Sequence, residues 1–245
     1  SAFGHGQPIT AAPSAAKDSS GNGWVYFGTG RFFNRSDATH HPTSVQTQTF
    51  YGIKEPRNSS GFTWQEVFRD DLLDVTDAMV FEGGNTVQGV EAGNMTFNEL
   101  KALVSTKKGW YLDLTTEKER NLGQATILGN ILTFTSYIPS VDPCEFEGYS
   151  NLYALYYATG TAYSSPVIGL GSTTVIEGEG ENASTKYEVL KSVSLGKGLT
   201  LTPNIHTGRQ EGSSVFVQTS TGTILQIDQQ NPGTVKSGKA SWEEW

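Results

Sequence analysis

The amino-acid sequence predicts an all-β fold made of many short strands. Of the 245 residues, 28 are Gly, 12 Phe, 10 Tyr and 5 Trp, whereas only 17% are charged. Aromatic residues favour strands and glycine favours tight turns, so this composition indicates strands joined by turns and disfavours a helical bundle. Hydrophobic residues make up 36% of the chain, which argues against intrinsic disorder.

Three pairs of apolar segments supply the central strands. The first member of each pair ends in small or hydroxylated residues, and the second member follows it across a turn or loop. The pairs are residues 24–27 with 50–53, 131–134 with 152–156, and 215–217 with 224–228. The third pair is linked by the short Ser-Thr-Gly of residues 220–222, which indicates a hairpin. Because the runs lack long polar alternation, they predict strands covered on both faces.

A further strand is predicted on either side of each pair. The upstream candidates are residues 8–12, 124–128 and 199–203, and the downstream candidates are residues 109–114, 187–190 and 240–242. The chain is therefore expected to use a four-stranded unit about three times, over residues 7–114, 121–195 and 198–245. Four-stranded antiparallel sheets repeated in series are typical of the blades of a β-propeller.

The first unit is long because it carries an insertion, roughly residues 61–108, which is the only predicted helical region. Thr63-x-x-Glu66 and Thr96-x-x-Glu99 both have the form of a capping box. The apolar positions that would form the buried helical faces are Trp64, Val67 and Phe68, then Phe97, Leu100 and Val104. The insertion either contacts a partner or caps the packing of its unit, and both interpretations stay open.

Charge and cysteine usage exclude several classes of protein. The formal net charge of −8 argues against nucleic acid as the main partner, since phosphate contacts need Lys and Arg. No apolar run of about 18 residues predicts a transmembrane helix, and the first ten residues have no signal-peptide pattern.

The single cysteine, Cys144, cannot form an intrachain disulfide, so it is a buried thiol or is paired with another chain. Residues 177–182 are expected to form a solvated acidic loop.

No catalytic or cofactor site is predicted. The GxSxG, HExxH, CxxC and Walker motifs are missing from the sequence. His40 and His41 with Asp37 are weak candidates for metal ligands, but neighbouring histidines on a polar loop usually point apart, and a solvated loop is favoured.

Two other groups of side chains are given ordinary roles. Asp113, Asp142 and Asp228 lie at strand ends, where carboxylates usually cap turns. Phe32 and Phe33 could contact a partner, although packing within the sheets is favoured.

An ordered series of segments carries a resemblance over almost the whole chain. In chain order, they are Gln-Pro-Ile-Thr-Ala-Ala-Pro at 7–13, Val-Tyr-Phe-Gly-Thr-Gly-Arg-Phe-Phe at 25–33, Thr-Phe-Tyr-Gly-Ile at 49–53, Gly-Trp-Tyr-Leu-Asp-Leu at 109–114, Thr-Phe-Thr-Ser-Tyr-Ile-Pro at 133–139, Asp-Pro-Cys at 142–144, Leu-Tyr-Ala-Leu at 152–155, Val-Phe-Val-Gln-Thr-Ser-Thr-Gly at 215–222 and Ser-Trp-Glu at 241–243. The sequence resembles the C-terminal part of the PilY-type proteins, which are type IV pilus biogenesis factors and tip-associated adhesins of Gram-negative bacteria.

The resemblance implies a modified seven-bladed β-propeller without enzymatic activity, located at the pilus tip or the outer membrane. Such a protein would counteract pilus retraction, promote assembly with minor pilins, and support adhesion and surface motility. The calcium loop of the family, Asp-x-Asn-x-Asp-Gly-x-x-Asp, would lie upstream of Ser1. No calcium site is transferred to this chain, because the acidic residues at 70, 71, 74 and 77 follow a helical pattern instead.

Three blades cannot close a ring of seven, so the resemblance also implies a partner. Apolar blade faces left in water would form an aggregation patch, and their burial is worth on the order of 10 kcal/mol per face. We therefore expect the remaining blades to come from another chain or an upstream part of the polypeptide. Two alternatives stay open: a quinoprotein-type propeller enzyme, which would need calcium ligands and a central cofactor pocket, and a carbohydrate-binding β-domain, which the five Trp favour.

Overall fold

The computed structural model consists of mostly antiparallel sheets packed face to face. It describes residues 7–33, 37, 47–56, 64–91, 93–140, 147–168, 171–177, 184–207, 213–230 and 232. The strands are β1 (Ser14–Lys17), β2 (Gly23–Gly28), β3 (Gln48–Lys54), β4 (Leu73–Asp74), β5 (Met79–Val80), β6 (Val87–Gln88), β7 (Gly109–Leu114), β8 (Arg120–Asn121), β9 (Thr126–Leu128), β10 (Ile131–Ile138), β11 (Tyr149–Tyr156), β12 (Ser172–Glu177), β13 (Ser184–Val189), β14 (Ser192–Lys197), β15 (Asn204–Thr207), β16 (Ser213–Gln218) and β17 (Ile224–Gln229). Within these ranges there is one α-helix, α1 (Phe97–Thr106), and a 3-10 turn at Arg69–Asp71, and no helix has the length and apolarity to span a membrane.

The first sheet has the strand order β1-β2-β3-β7-β4. Its first four strands are antiparallel, whereas β4 joins β7 in parallel through Leu73 and Asp74. The predicted strand at 109–114 is confirmed as β7. The predicted strand at 8–12 is wrong, since the first strand begins at Ser14. Pro8 is the first residue of the predicted segment and Pro13 follows it, and a proline has no N–H to donate to a sheet ladder.

The second sheet has the order β14-β11-β10-β8, with β9 also paired to β10. Residues 187–190 were expected to form the fourth strand of this unit; residues 187–189 do lie in a strand, but their assignment to this sheet is wrong. Strand β14 pairs with β11 instead, through a register shift at Ser150 and Asn151. Residues 184–189 form β13, which pairs with β12 as a separate hairpin. Residues 184–189 and 192–197 both have the propensity to form a strand, and tertiary contacts determine which of them pairs with β11.

The third sheet has the order β15-β16-β17 among the described residues. The predicted strands at 215–217 and 224–228 are confirmed within β16 and β17. The segment 199–203 contributes only the isolated bridge between Thr200 and Thr219, and the strand begins after Pro203. The predicted strand at 240–242 lies outside the described residues. No sheet in the described ranges closes on itself, and the number of blades stays a prediction.

Two hydrophobic cores lie between the three sheets. In the first core, the ring of Phe134 in the second sheet stacks between those of Phe50 (3.8 Å between centroids) and Tyr153 (4.8 Å). The second core joins the second and third sheets through Ile131, Leu152, Ala154, Val167, Ile168, Val193, Val215 and Val217. The second sheet is therefore buried on both faces, as its continuous apolar runs predicted.

Trp110 of β7 is a central residue of the first core. Its indole is fully buried, and Nε1 donates to the carbonyl of Tyr157 (3.1 Å). Gly52 and Gly160 lie directly against the ring, where an added Cβ would come within 2.4 and 2.3 Å of indole carbons. Real Cβ atoms do not approach so closely, so the absence of a side chain at both positions makes room for the indole.

The helix α1 confirms one of the two predicted capping boxes. Thr96 Oγ1 accepts the backbone N–H of Glu99 (3.2 Å), and the Glu99 carboxylate accepts that of Thr96 (2.7 Å). At the other end, the Lys54 ammonium donates to the carbonyls of Val104 (2.6 Å) and Lys107 (2.9 Å), which stabilises the C-terminus of the helix.

The second predicted helix, with a face of Trp64, Val67 and Phe68, is not formed. Thr63 lies outside the described residues, and Trp64 and Phe68 are each 64% exposed. The backbone bonds to other segments instead: Gln65 N–H donates to the carbonyl of Pro56 (2.8 Å), and the Glu66 carbonyl accepts from Lys108 Nζ (3.1 Å). These long-range bonds replace the local bonds that a helix needs.

The sheets are tied together along the edge formed by β1, β9 and β15. Gln124 Nε2 donates to the carbonyl of Pro13 (3.1 Å), and Thr126 Oγ1 donates to the carbonyl of Pro203 (2.8 Å). Ser14 Oγ also donates to the carbonyl of Ala125. Hydrogen bonds therefore link the three sheets along this edge.

The turn between β1 and β2 gives a testable prediction about Asp18. Its carboxylate accepts hydrogen bonds from Ser20, Asn22 and the Trp24 indole, at 2.9 to 3.1 Å. Burial raises the pKa of Asp18, but these donors outweigh it and hold the pKa below its ordinary value of 3.8. Asp18→Ala is expected to cost about 1–2 kcal/mol at pH 7, because it leaves several donors without an acceptor.

The pH dependence follows from the lowered pKa. The unfolded chain binds the proton more tightly, so the stabilisation by Asp18 is present above pH 3.8 and is lost as pH falls through the folded-state pKa. Urea titrations at pH 7 and pH 3 should show a smaller difference between wild type and Asp18→Ala at pH 3. An equal difference at both values would contradict this assignment, and Asp18→Asn, which keeps an acceptor oxygen without the charge, is the control.

Candidate interaction surface

The side of the first sheet that points away from the second sheet, called the outer face below, is the clearest candidate for an interface. Side chains alternate across a strand, so Tyr26, Phe50 and Trp110 point into the core while their neighbours point outward. The outward residues on the antiparallel strands are Ala15, Val25, Phe27, Thr49, Tyr51, Ile53, Tyr111 and Asp113. The strand register aligns Val25 with Ile53, and Phe27 with Tyr51.

One half of the outer face is an apolar groove of about 460 Å³. Ala15, Val25 and Ile53 line it together with Pro56 and Trp64. Val25 is 40% exposed and Trp64 64% exposed, so large apolar groups meet water here. The lysines Lys17 and Lys54 also border the groove. A sheet face of this kind is typical of a surface that packs against another protein element.

The other half is a polar network centred on Arg69. Its guanidinium pairs with Asp113 (Nη2 to Oδ2, 2.6 Å) and lies 3.9 Å from the centroid of the Tyr111 ring. The Tyr111 hydroxyl donates to Asp74 Oδ2 (2.8 Å). On the far side of Asp113, Thr49 Oγ1 donates to its Oδ1 (2.6 Å). The cation is thus fixed by a carboxylate and an aromatic ring at once.

Gln7 links this network to the start of the described chain. Its Nε2 donates to Thr49 Oγ1 (2.8 Å), and its Oε1 accepts from the Tyr51 hydroxyl (2.8 Å). The polar side chains of the outer face therefore hold one another in fixed positions, and ordering them costs little when a partner binds.

The ionisation states of the network follow from these contacts. Partial burial lowers the pKa of Arg69, but the hydrogen bonds to Asp113 and the contact with Tyr111 outweigh it and raise the pKa above its ordinary value. Burial raises the pKa of Asp74, but hydrogen bonds from Thr76 and Tyr111 and the charge of Arg69 bring it below 3.8. Burial and the bond to Asp74 raise the pKa of Tyr111. At neutral pH the network presents fixed, paired charges, which suit recognition better than proton transfer.

Of the weak metal candidates named from the sequence, Asp37 lies within the described residues. His40 and His41 lie outside the described residues. Asp37 is buried, and its carboxylate pairs with Arg31 Nε (2.9 Å) and accepts the backbone N–H of Phe33 (2.9 Å). Its role is therefore to stabilise the local loop. Among the described residues, no group of three or more His, Cys, Asp or Glu side chains could hold a metal ion.

Other acidic residues also differ from expectation. Asp113 was expected to cap a turn, but it pairs with Arg69 on the outer face. Asp228 accepts from Ser214 Oγ (3.3 Å) across β16 and β17. The acidic residues at 70, 71, 74 and 77 do not form a helix: the first two lie in the 3-10 turn and Asp74 lies in β4. Asp142, Cys144 and most of the acidic segment 177–182 lie outside the described residues.

Phe32 and Phe33, for which a partner contact or packing within the sheets was considered, lie in different environments. The ring of Phe32 packs near Tyr137, with 5.2 Å between centroids, whereas Phe33 is exposed. The outer face itself was not predicted from the sequence, although the spacing of two residues between Tyr51 and Ile53, and between Tyr111 and Asp113, places each pair on one face of a strand and was a usable signal. Arg69 gave no such signal, because it reaches the sheet from the 3-10 turn before β4.

Comparison with known proteins finds similarity to type IV pilus biogenesis factors. No family model matches the chain. Over 256 aligned residues covering 98% of the chain, it is 30% identical to the type IV pilus biogenesis factor PilY1 of Pseudomonas aeruginosa. It is 24% identical to a PilY1 homolog of Xylella fastidiosa, again over 98% of the chain. The chain spans about a fifth of the length of these relatives, 21% and 18%.

A solved structure supports the same assignment at the level of the fold. The crystal structure of the P. aeruginosa PilY1 C-terminal domain matches with a TM-score of 0.59 at 20% identity, covering 95% of this chain and 46% of that one. The fold is thus predominantly β-stranded and similar to that of this C-terminal domain. The chain is homologous to the C-terminal region of PilY1, which confirms the resemblance seen in the sequence.

Proposed function

We propose that this chain is part of a non-enzymatic type IV pilus biogenesis factor and acts as a scaffold of stacked β-sheets. The observation that carries the proposal is the 30% identity to PilY1 over 98% of the chain. In this role the protein works at the cell surface, at the pilus tip or the outer membrane of a Gram-negative bacterium. It promotes pilus assembly with minor pilins, counteracts retraction, and supports adhesion or surface motility. The proposal gives this chain no cofactor and no catalytic residue.

Within that scaffold, residues 7–114, 121–195 and 198–245 are three blades of a modified seven-bladed β-propeller, and residues 61–108 are an insertion in the first. The second sheet is buried by one core on each face, as a blade between two neighbouring blades would be, and this supports the division into three blades. The third blade has room for a fourth strand beside β17. A groove of about 420 Å³ lies between β14 and β17 and is lined by Val193, Leu195, Leu225 and Ile227.

The remaining blades are supplied by another part of the polypeptide or by another chain, and one of them covers the outer face. The exposed Val25 and the apolar groove beside it support this assignment, because a propeller buries the faces of its blades against each other. The short span of the chain relative to its relatives, about a fifth of their length, leaves ample polypeptide for this role.

Removal of the gene segment that encodes this chain tests the proposed function in its own bacterium. Surface pili counted by electron microscopy should fall strongly, and they should recover when the retraction motor is also inactivated. Loss without recovery would contradict a role against retraction and leave a role in assembly alone. Normal pilus numbers in the single deletion would overturn the proposal.

The outer face gives a narrower prediction for Ile53→Glu. The change places a carboxylate in the apolar groove, and burying it against a neighbouring blade costs several kcal/mol, roughly the penalty for an unpaired buried charge. We expect at least about a tenfold loss of surface pili, with the protein level followed by immunoblot. Asn98→Glu adds the same charge at an exposed position of α1 and should leave pilus numbers unchanged. Equal pilus numbers in both variants would mean that the outer face is not a buried interface.

A further inference from the structure

Three consecutive residues, at β8 and just before it, carry buried polar atoms without a hydrogen-bond partner. Glu119, Arg120 and Asn121 are each at most 2% exposed, and the atoms are Glu119 Oε2, Arg120 Nη2 and Asn121 Oδ1. Buried polar atoms without a partner are rare in folded proteins, and an ordered water or ion is one of the reasons for them. This cluster therefore indicates a ligand bound inside the molecule.

Two of the three atoms, both of them oxygens, belong to side chains that lie next to each other. Asn121 lies opposite Ser136 in the strand register, and the Ser136 hydroxyl donates to Glu119 Oε1. The carboxylate therefore lies alongside the Asn121 side chain. An added Cβ at Gly28 of the first sheet would come within 2.5 Å of Asn121 Oδ1, so the two side chains lie between the first and second sheets.

The two oxygens of the Glu119 carboxylate have unequal surroundings. Oε1 accepts from three neutral donors, the hydroxyls of Ser136 and Tyr153 and the side-chain amide of Asn151. Oε2 is buried and accepts from none. No ion pair among the described residues includes Glu119. The carboxylate is thus held in place by hydrogen bonds, but no positive side chain contacts it.

The charge of this carboxylate indicates that the ligand is a cation. The neighbouring cation Arg120 forms no ion pair with Glu119, and its Nη1 donates to the backbone carbonyls of Arg31 (2.9 Å) and Asp37 (2.7 Å). A buried negative charge is costly unless a positive charge compensates it. A cation at Oε2 would supply that charge and would also give this oxygen a partner.

The two free oxygens also narrow the kind of cation. Oxygen ligands suit hard cations, whereas nitrogen and sulfur ligands suit transition metals. The single carboxylate neutralises one positive charge, and a divalent ion would leave a net positive charge in the interior. Divalent ions are usually held by several acidic side chains, and no such group occurs in the described part of the chain. The cation that fits best is therefore monovalent.

We propose that an alkali-metal cation, Na⁺ or K⁺, binds between the first and second sheets with Glu119 Oε2 and Asn121 Oδ1 as ligands. The ion has a structural role, because it compensates the buried carboxylate and holds the segment before β8 between the two sheets. This site is separate from the outer face of the first sheet and does not depend on the proposed role in pilus biogenesis.

Hydrogen–deuterium exchange of the full protein that carries this chain tests the site. Exchange of peptides spanning β8 and β10 is compared in NaCl, KCl and choline chloride, each at about 0.1 M, so that ionic strength is the same. An ion with a dissociation constant on the order of 10 mM should slow this exchange about tenfold in NaCl or KCl relative to choline chloride. Equal exchange in the three salts would overturn the proposal and assign the two oxygens to a bound water or proton.

Two substitutions test the location of the ion. Glu119→Gln should remove the salt dependence, because its amide can donate to Asn121 Oδ1 in place of the ion. Asn121→Asp adds a second carboxylate, so about 1 mM Ca²⁺ should slow exchange in this variant and not in wild type. Asn98→Asp makes the same change at an exposed position of α1 and should not respond to Ca²⁺. Salt dependence that persists in Glu119→Gln, or an Asn121→Asp protein that ignores Ca²⁺, would refute the site.

Discussion

Trp110→Ala is expected to lower the local stability of the first sheet by about 3–5 kcal/mol, the cost of removing a large aromatic side chain from a packed core. The indole is fully buried, its ring lies 6.1 Å from that of Tyr26 and 6.3 Å from that of Phe50, and Nε1 donates to the Tyr157 carbonyl. The substitution leaves a cavity and an unsatisfied carbonyl. The flanking glycines carry no side chains that could fill the space.

Hydrogen–deuterium exchange of peptides spanning β2 and β7 measures this effect, because it reports local opening in a protein of several sheets. Trp64→Ala is the matched control, since the same deletion at an exposed position should cost less than about 1 kcal/mol. Similar protection in the two variants would show that Trp110 does not hold the first core together.

Glu119→Leu is expected to cost about 3 kcal/mol or more, since it leaves two buried donors and one part-buried donor without an acceptor. Glu119 is 2% exposed, and its Oε1 accepts from Ser136 Oγ, Asn151 Nδ2 (3.0 Å) and the Tyr153 hydroxyl (2.9 Å). These donors belong to β10 and β11, so the carboxylate fixes the segment before β8 to the second sheet. Leucine has a similar volume but no acceptor.

Glu119→Gln separates the acceptor from the charge. Its amide oxygen can take the position of Oε1, so the loss should be about half of that in the leucine variant or less. Thermal unfolding followed by circular dichroism compares the two variants. Equal losses would indicate that the negative charge, and not the acceptor geometry, holds this part of the sheet.

The strands that could be predicted from sequence are those whose own residues determine them. Aromatic and β-branched runs at 24–27, 109–114 and 131–134 form strands as predicted, because strands with such side chains stabilise a buried sheet face almost regardless of their neighbours. The capping box at Thr96 succeeded for the same reason, since its two hydrogen bonds are local. The expected helix near Trp64 failed because its backbone is bonded to Pro56 and Lys108, which are distant in sequence.

The candidate site was harder to predict because it depends on distant contacts. Arg69 meets Asp113, 44 residues away, only after β4 joins β7 in parallel. Nothing near Arg69 in sequence indicates that contact. The hairpin of β12 and β13 was missed for a related reason: residues 187–190 were assigned to the second sheet, and only the pairing of β14 with β11 leaves β13 free to anchor the hairpin.

The packing around the indole of Trp110 links three positions that lie far apart along the chain. A methyl group gained at position 52 or 160 would occupy space that the ring already fills, so it must be matched by a smaller residue at 110. We therefore expect substitutions at 52 and 110 to be coupled, so a relative that has lost the tryptophan is free to gain bulk at Gly52, whereas the positive φ of Gly160 (71°) still favours glycine there.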